Sequence, residues 1–389
     1  MSQAEQRDGG LRAALEAAAG TVRRTAEKLG PLYPDNTTRD GWYPPTPAAP
    51  GFATGANYGW TTGFVPGMHW LCWDLTADPY FRDAGLAHAA DFRRRLDADD
   101  DMDTHDLGFL YTLSCVAAWR YVGDDDARAT AVCAAERLMT RFLEPAGIVQ
   151  AWGLLSDPAQ RGRTIIDSLM NMPLLTFAHQ QTGDERYADA VRRHTAALRE
   201  SIVRTDGSTF HSFYWDPTTG SAVRGATEQG AGDDSCWARG QAWGIYGFAL
   251  NHRATGDPDL LAAACTCADY FLAHLPPDRV PYWDLMYGEG SGAQRDSSAG
   301  AIAVCGLLEI ADLLDDPDRA RSYRRSAADL LAAVERCRPD PADSSDALLL
   351  HAVYDLPKGV GVDEGCLWGD YFYLESLARL TDPQWRPPW

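Results

Sequence analysis

Residues 235–275 read SCWARGQAWGIYGFALNHRATGDPDLLAAACTCADYFLAHL, two helical patterns of opposite character joined at TGDPDL. The first, over 236–254, carries Trp, Gly, Tyr, Phe and Ala on every face, the pattern of an interior helix. The second, over 258–275, keeps apolar residues at i, i+3 and i+4 spacing, the pattern of a helix with one buried face. Gly256 stops the first helix; Asp257 and Pro258 open the second. An interior helix, a tight turn and an outer helix therefore form one hairpin.

The same turn signal recurs as TADPYF (76–81), VGDDDA (122–127), TGDERY (182–187) and DDPDRA (315–320). Gly-Asp and Asp-Pro suit a chain that must end one helix and restart another within a few residues. Working outward from these turns predicts about twelve helices, near 11–30, 62–76, 79–97, 107–121, 125–143, 168–181, 185–203, 236–254, 258–275, 297–314, 317–336 and 366–380. Strand-like runs are few and short. The helices before the turns (WTTGFVPGMHWLCWDL, HDLGFLYTLSCVAAW, DSSAGAIAVCGLLEI, CLWGDYFYLESLARL) are apolar all round, and those after, such as ERYADAVRRHTAALRE, are amphipathic. Six interior helices within six exterior ones predict an all-α fold, an (α/α)6 double-layered barrel of six hairpins. The expected organisation is one catalytic domain over 1–389, with 1–56 as an N-terminal helix and cleft-entrance loop.

Composition bounds the function. Of 389 residues 45% are hydrophobic, ample for a large core. Fifty-five acidic against 35 basic residues give a net charge of −20, which excludes nucleic acid and anionic membranes as expected partners. The opening MSQAEQRDGG is polar and no run nears the roughly 18 apolar residues of a membrane span, so no leader or anchor is expected. The nine cysteines are odd in number and mostly within helix-like segments, and the nearest pair is C-T-C. Reduced thiols in a cytoplasmic protein, with neither metal nor cofactor, are the expectation.

Connections from outer to next inner helix are long (31–61, 97–106, 144–164, 203–235, 276–295 and 337–365), so the long loops gather at one end of the barrel. Loops held by a rigid scaffold carry function, which selects that mouth as the site. There the sequence places Trp60, His105, Asp106, Trp152, Asp167, Asn171, His211, Gln229, Ser235, Arg239 and Trp243. Aromatic rings with carboxylates, amides and one guanidinium describe a carbohydrate cleft, since sugar C–H faces pack on rings while hydroxyls need paired donors and acceptors. Simpler roles stand beside these. Asp106 reads also as an N-cap before LGFLY, and Asp296 more plainly so before SSAGAIA. His105 reads also as satisfied polarity, the Trp residues as core, and Arg239 as half of an internal ion pair.

Asp167, in TIIDSLMNMP (164–173), is less easily dismissed. Pro173 belongs in the first turn of a helix, which makes Asn171 the natural cap and leaves Asp167 one turn earlier among Ile165, Ile166 and Met170. Apolar packing raises a carboxyl's pKa towards the range of a general acid, while a nearby helix N-terminus lowers it.

Together WTTGFVPGMHWL, HDLGF, TIIDSLMNMPLL, HSFYWDPTTG, GATEQGAGDDSCWARGQAWGIYGFAL, DSSAGAIA and WGDYFYLESL resemble the unsaturated glucuronyl hydrolases, the family 88 glycoside hydrolases, over roughly 57–380. The resemblance implies an (α/α)6 barrel and a hydrolase of small unsaturated oligosaccharides left by polysaccharide lyases. Such enzymes hydrate the C4=C5 double bond of the non-reducing-end uronate, giving a hemiketal that breaks down to a keto acid and the released sugar. By the same resemblance Asp167 protonates C4 and assists water at C5, and Asp106 supports it. His211, Gln229 and Arg239 would hold the uronate, and Trp60, Trp152 and Trp243 would stack on sugars; His105, Asn171 and Ser235 complete the expected substrate-binding set. The first 50 residues match no motif, and YDLPKGVGVDEG (354–365) carries Lys358 but no serine, which argues against a preference for sulfated sugars. Two other enzymes fit the residues: an inverting glycosidase using Asp106 and Asp167 as acid and base, and an epimerase of the N-acylglucosamine type using His105 and His211. A helical scaffold protein is the alternative that needs no chemistry.

Overall fold

The computed structural model describes residues 3–340 and 344–389; two residues of the polar opening and three of the loop 337–365 lie outside that range. Six inner helical segments run Phe64–Thr76, 107–122, Met172–Thr182, Ala238–Thr255, Ser297–Leu313 and Leu367–Thr381. Each touches the next, and the last closes on the first. Outside them lie Gln3–Leu29, Pro79–Asp97, Asp125–Met139, Glu185–Ile202, Pro258–Ala273 and Pro317–Val334. This is the expected six-hairpin toroid.

The turn signals work as capping chemistry. Asp78, Asp124, Asp184, Asp257 and Asp316 each accept a backbone N–H from the first turn of an outer helix, a contact worth about 1 kcal/mol apiece. Gly123, Gly183 and Gly256 end inner helices with φ of 72°, 71° and 73°, a conformation that favours glycine.

Three details differ from the sequence reading. The helix expected over 125–143 stops at Met139, and Phe142–Leu143 instead pairs with Ile148–Val149. The helix expected from 168 starts at Met172, preceded by a 3-10 turn over Ile166–Met170. The segment 107–122 carries a π-helical turn at Thr112–Val116. The long loops hold small antiparallel sheets: Arg163–Ile165 with Ser212–Trp215 and Ala222–Ala226, and Ala352–Asp355 with Val360–Glu364.

The axis of the toroid is filled rather than hollow. Trp243 meets Phe109 and Phe372, with ring centroids 5.4 and 5.3 Å apart, although these three residues sit on inner helices that are not neighbours in the ring. Towards the short-turn end, Trp389 stacks on Phe372 at 5.9 Å and donates its indole N–H to Glu375 at 2.9 Å. Arg379 bridges Glu375 and Glu309 at 3.0 and 2.8 Å. The floor of the mouth is thus aromatic, with a buried ionic network beneath it.

Candidate active site

The segment carrying Asp167 is wedged between two inner helices by glycine. On one side Gly240, Gly244 and Gly247 face Ile166 and Leu169; a Cβ on Gly247 would lie 2.4 Å from that of Leu169. On the other, a Cβ on Gly108 would fall 2.2 Å from the Cα of Asn171. Only bare backbone at both contacts lets the turn sit this deep.

Pro173 lies in the first turn of Met172–Thr182, as its chemistry requires. Asn171 holds the cap position but makes no cap bond to its own helix. Its Oδ1 instead accepts the backbone N–H of Phe109 at 2.8 Å, capping the neighbouring inner helix. Asp106, which stands at that helix's N-cap, therefore makes no cap bond of its own. The capping role open to Asp106 in the sequence is taken by another chain segment, and its carboxylate is left for the cleft.

Three groups meet there. His105 Nε2 lies 3.3 Å from Asp106 Oδ1 and 3.7 Å from Asp167 Oδ1. The two oxygens are therefore no further apart than 7.0 Å, the sum of those distances. Both carboxylate side chains are 16% exposed. Thr104 Oγ1 donates to Asp106 Oδ2 at 2.8 Å. Asp167 Oδ1 is buried without a hydrogen-bond partner among the described residues. Burial pushes the Asp167 carboxyl well above the usual range, and the charge of Asp106 pushes it further; Arg239 pulls the other way. Burial thus prevails over the helix end, and Asp167 keeps its proton at a pH where an ordinary carboxyl has lost it. Burial holds His105 neutral against the attraction of Asp106.

Asp106→Asn removes one of the two influences that raise Asp167. With Asp167 as the proton donor that the family resemblance implies, the basic limb of the kcat/KM profile is expected to move to lower pH. The accompanying fall in kcat is expected to be about 100-fold. A pH–rate series on the variant checks both.

The other half of the mouth presents hydrogen-bonding groups and rings. His211 Nδ1 accepts backbone N–H groups from Glu228 at 3.0 Å and Gln229 at 3.2 Å, which fixes its proton on Nε2. Burial, then Arg239 and Lys358, take its pKa down to about 3, so it stays a neutral donor. Gln229 Oε1 accepts from Arg239 Nη2 at 2.9 Å, leaving its amide N–H groups as donors. Trp60 is half-buried, donates to Tyr354 Oη at 3.0 Å and stacks on Trp368 at 5.2 Å. Trp152, also half-buried, meets Tyr214 edge-on, with the Arg163 guanidinium over its ring at 5.6 Å.

Several residues expected to touch sugar are engaged by protein partners. Arg239 is the internal ion pair that its burial suggested: it bonds Asp296 at 3.0 Å, the carbonyls of Val353 and Tyr354, and Gln229, between the rings of Trp237 and Trp368. Asp296 caps Ser297–Leu313 with its other oxygen. Trp243, expected as a stacking platform, is 1% exposed and boxed by Phe109 and Phe372. Asn171 is fully buried and His105 nearly so. Ser235 Oγ bonds Asp284 at 2.6 Å and Gly232, which ties down its own loop. Sequence reasoning missed Tyr354, Trp368 and Asp284. A tyrosine in a four-residue strand and an aspartate after a tryptophan carry no spacing signal.

The sequence profile of Glycosyl Hydrolase Family 88 matches residues 40–261. The unsaturated glucuronyl hydrolase of Bacillus sp. (strain GL1) is 42% identical over 369 residues, 94% of this chain and 96% of its own. The unsaturated chondroitin disaccharide hydrolase of Streptococcus pyogenes serotype M1 is 41% identical over 379 residues, 97% of this chain and 92% of its own. Among solved structures, the unsaturated glucuronyl hydrolase of Streptococcus agalactiae superposes with a TM-score of 0.90 at 39% identity, covering 97% of this chain and 94% of that one. A matched profile over more than half the length, and relatives this similar along nearly all of it, place this chain in glycosyl hydrolase family 88.

Proposed function

We propose that this chain is an unsaturated glucuronyl hydrolase, acting on disaccharide-sized oligosaccharides whose non-reducing end is a 4,5-unsaturated uronate. The observation that carries the reading is a carboxyl held protonated by burial beside a second carboxylate, with a neutral histidine between them. Asp167 gives its proton to C4, the positive charge that develops at C5 and the ring oxygen is stabilised by Asp106, and water adds at C5. The proton lost by that water returns to Asp167. The hemiketal so formed opens to a ketone at C5; C1, left as a hemiacetal of the departing sugar, collapses to an aldehyde and frees it. His211 Nε2–H and the Gln229 amide supply donors to the uronate, and Trp60 and Trp152 supply ring faces.

The competing inverting mechanism needs carboxyls roughly 6.5–9.5 Å apart. The two Oδ1 atoms, no further apart than 7.0 Å, can reach only the bottom of that range. Turnover in heavy-oxygen water separates the two: hydration labels the keto acid at C5, whereas inversion labels C1 of the sugar released by attack at the anomeric carbon. A panel of lyase-generated disaccharides, followed by loss of the conjugated ultraviolet absorbance, tests the substrate class. Unsulfated members are expected to turn over fastest, because the Lys358 ammonium is held by Asp355 at 2.7 Å and the exposed Glu228 stands nearby.

We also read the chain as one catalytic unit, supported by the packing of Gln3–Leu29 against Phe64–Thr76 and Leu367–Thr381. A cytoplasmic location is supported by nine free cysteines and by the lack, among the described residues, of a helix long and apolar enough to cross a membrane.

A further inference from the structure

His194 lies on the outer helix Glu185–Ile202, in a stretch that reads as ordinary amphipathic surface, yet it is fully buried and points between the layers. Its two ring nitrogens are both engaged, by different parts of the mouth. Nδ1 accepts the backbone N–H of Val149 at 3.0 Å. That bond places the ring proton on Nε2, which lies 2.8 Å from Ser168 Oγ. Ser168, buried beside Asp167, passes its own hydrogen to the carbonyl of Ile165 at 2.6 Å. Ile165 is the residue from which the 3-10 turn bearing Asp167 departs. Val149 opens the run Gln150–Ala151–Trp152, and the Ala151 carbonyl accepts the backbone N–H of His105 at 3.2 Å.

We propose that His194 is a positioning residue for the reaction, fixing the Asp167 turn through Ser168 and the Trp152 loop through Val149. The proposal rests on the roles given above to Asp167 and Trp152. Neutrality is what makes one ring both acceptor and donor, and burial takes its pKa down to about 3, so both bonds persist across the working pH range. Each bond serves a different function: the Ser168 side aligns a proton donor, and the Val149 side aligns a ring that stacks on sugar. Small displacements of a proton donor lower the chemical step, whereas a loosened platform weakens binding.

Two amides separate these effects, because each reproduces one ring nitrogen. His194→Asn offers an acceptor near Nδ1 and no donor to Ser168; His194→Gln offers a donor near Nε2 and loses the bond from Val149. Ser168→Ala cuts the first connection without touching the ring. His194→Asn and Ser168→Ala are expected to lower kcat by about 10- to 50-fold with KM within about twofold of the parent. His194→Gln is expected to raise KM about fivefold and to keep most of kcat. Circular dichroism and thermal melts confirm that each variant is folded, and Ser168→Ala, which loses a single oxygen, carries the test if the ring variants do not fold. Folded variants with parental kcat and KM overturn the proposal. So does a uniform loss of active enzyme that tracks melting temperature without splitting kcat from KM. An active Asp167→Asn enzyme overturns instead the underlying role of Asp167, and is scored separately.

Discussion

Asp167→Asn is expected to abolish turnover, lowering kcat by about 1,000-fold or more, while leaving the fold intact. An amide of the same shape leaves Ile166 and Leu169 packed on the Gly240–Gly247 face but has no proton to give to carbon. The variant is expected to melt no lower than the parent at pH 7. A carboxyl whose folded-state pKa is raised detracts from stability as pH climbs from its unfolded value through its folded one. The parent bears that penalty at neutral pH and the amide does not. Below the unfolded value the carboxyl is protonated in both states, and the two proteins should converge. Melting curves across pH, beside assays of double-bond loss, measure both halves. Near-parental turnover by the variant would remove Asp167 from the chemistry.

The second large effect concerns stability. Arg239→Met leaves the fully buried Asp296 without its cation, a defect of about 3–5 kcal/mol. For a chain of this size a fall in Tm of roughly 4–6 °C follows. The double substitution Arg239→Met with Asp296→Asn is expected to recover much of it, since the cap bonds to Ser298 and Ala299 survive on an amide oxygen. The same change frees Gln229 Oε1, so KM should rise in whatever folded protein remains. Because Arg239 opposes the raised pKa of Asp167, its loss should shift the basic limb of the pH profile to higher pH, opposite in sign to Asp106→Asn. A pH profile that moves in the same direction for both variants would contradict this electrostatic account.

What was legible in the sequence follows from how local each cause is. The toroid could be read from five turns because a glycine stop and an aspartate cap act within four or five residues of one another. The glycines at 240, 244 and 247 share one helix face at visible spacing, but the turn they admit lies some 75 residues earlier in the chain. Pro173 points to a helix start near Asn171, closer than the 168 of the periodic pattern, whereas the side chain of Asn171 goes to Phe109, a partner 62 residues away that no local rule supplies. The strands of the mouth are two to five residues long, too short for alternation to register. Trp243 and Arg239 were placed rightly on an inner helix, yet depth along that helix decides whether a side chain faces sugar or other protein. His194 escaped notice because a histidine among arginines on an amphipathic helix resembles solvent-facing polarity.

The aromatic floor under the mouth has a consequence for traffic. With Trp243, Phe109, Phe372 and Trp389 closing the axis, whatever enters first leaves last. On the proposed reaction the unsaturated uronate goes in head first, so an internal unit of a polymer cannot reach Asp167, and each chain end supports a single turnover because the freed sugar carries no C4=C5 double bond. After reaction the keto acid lies behind the freed sugar and cannot depart ahead of it. Each turnover empties the pocket completely, and the shortened chain leaves without the double bond that let it react.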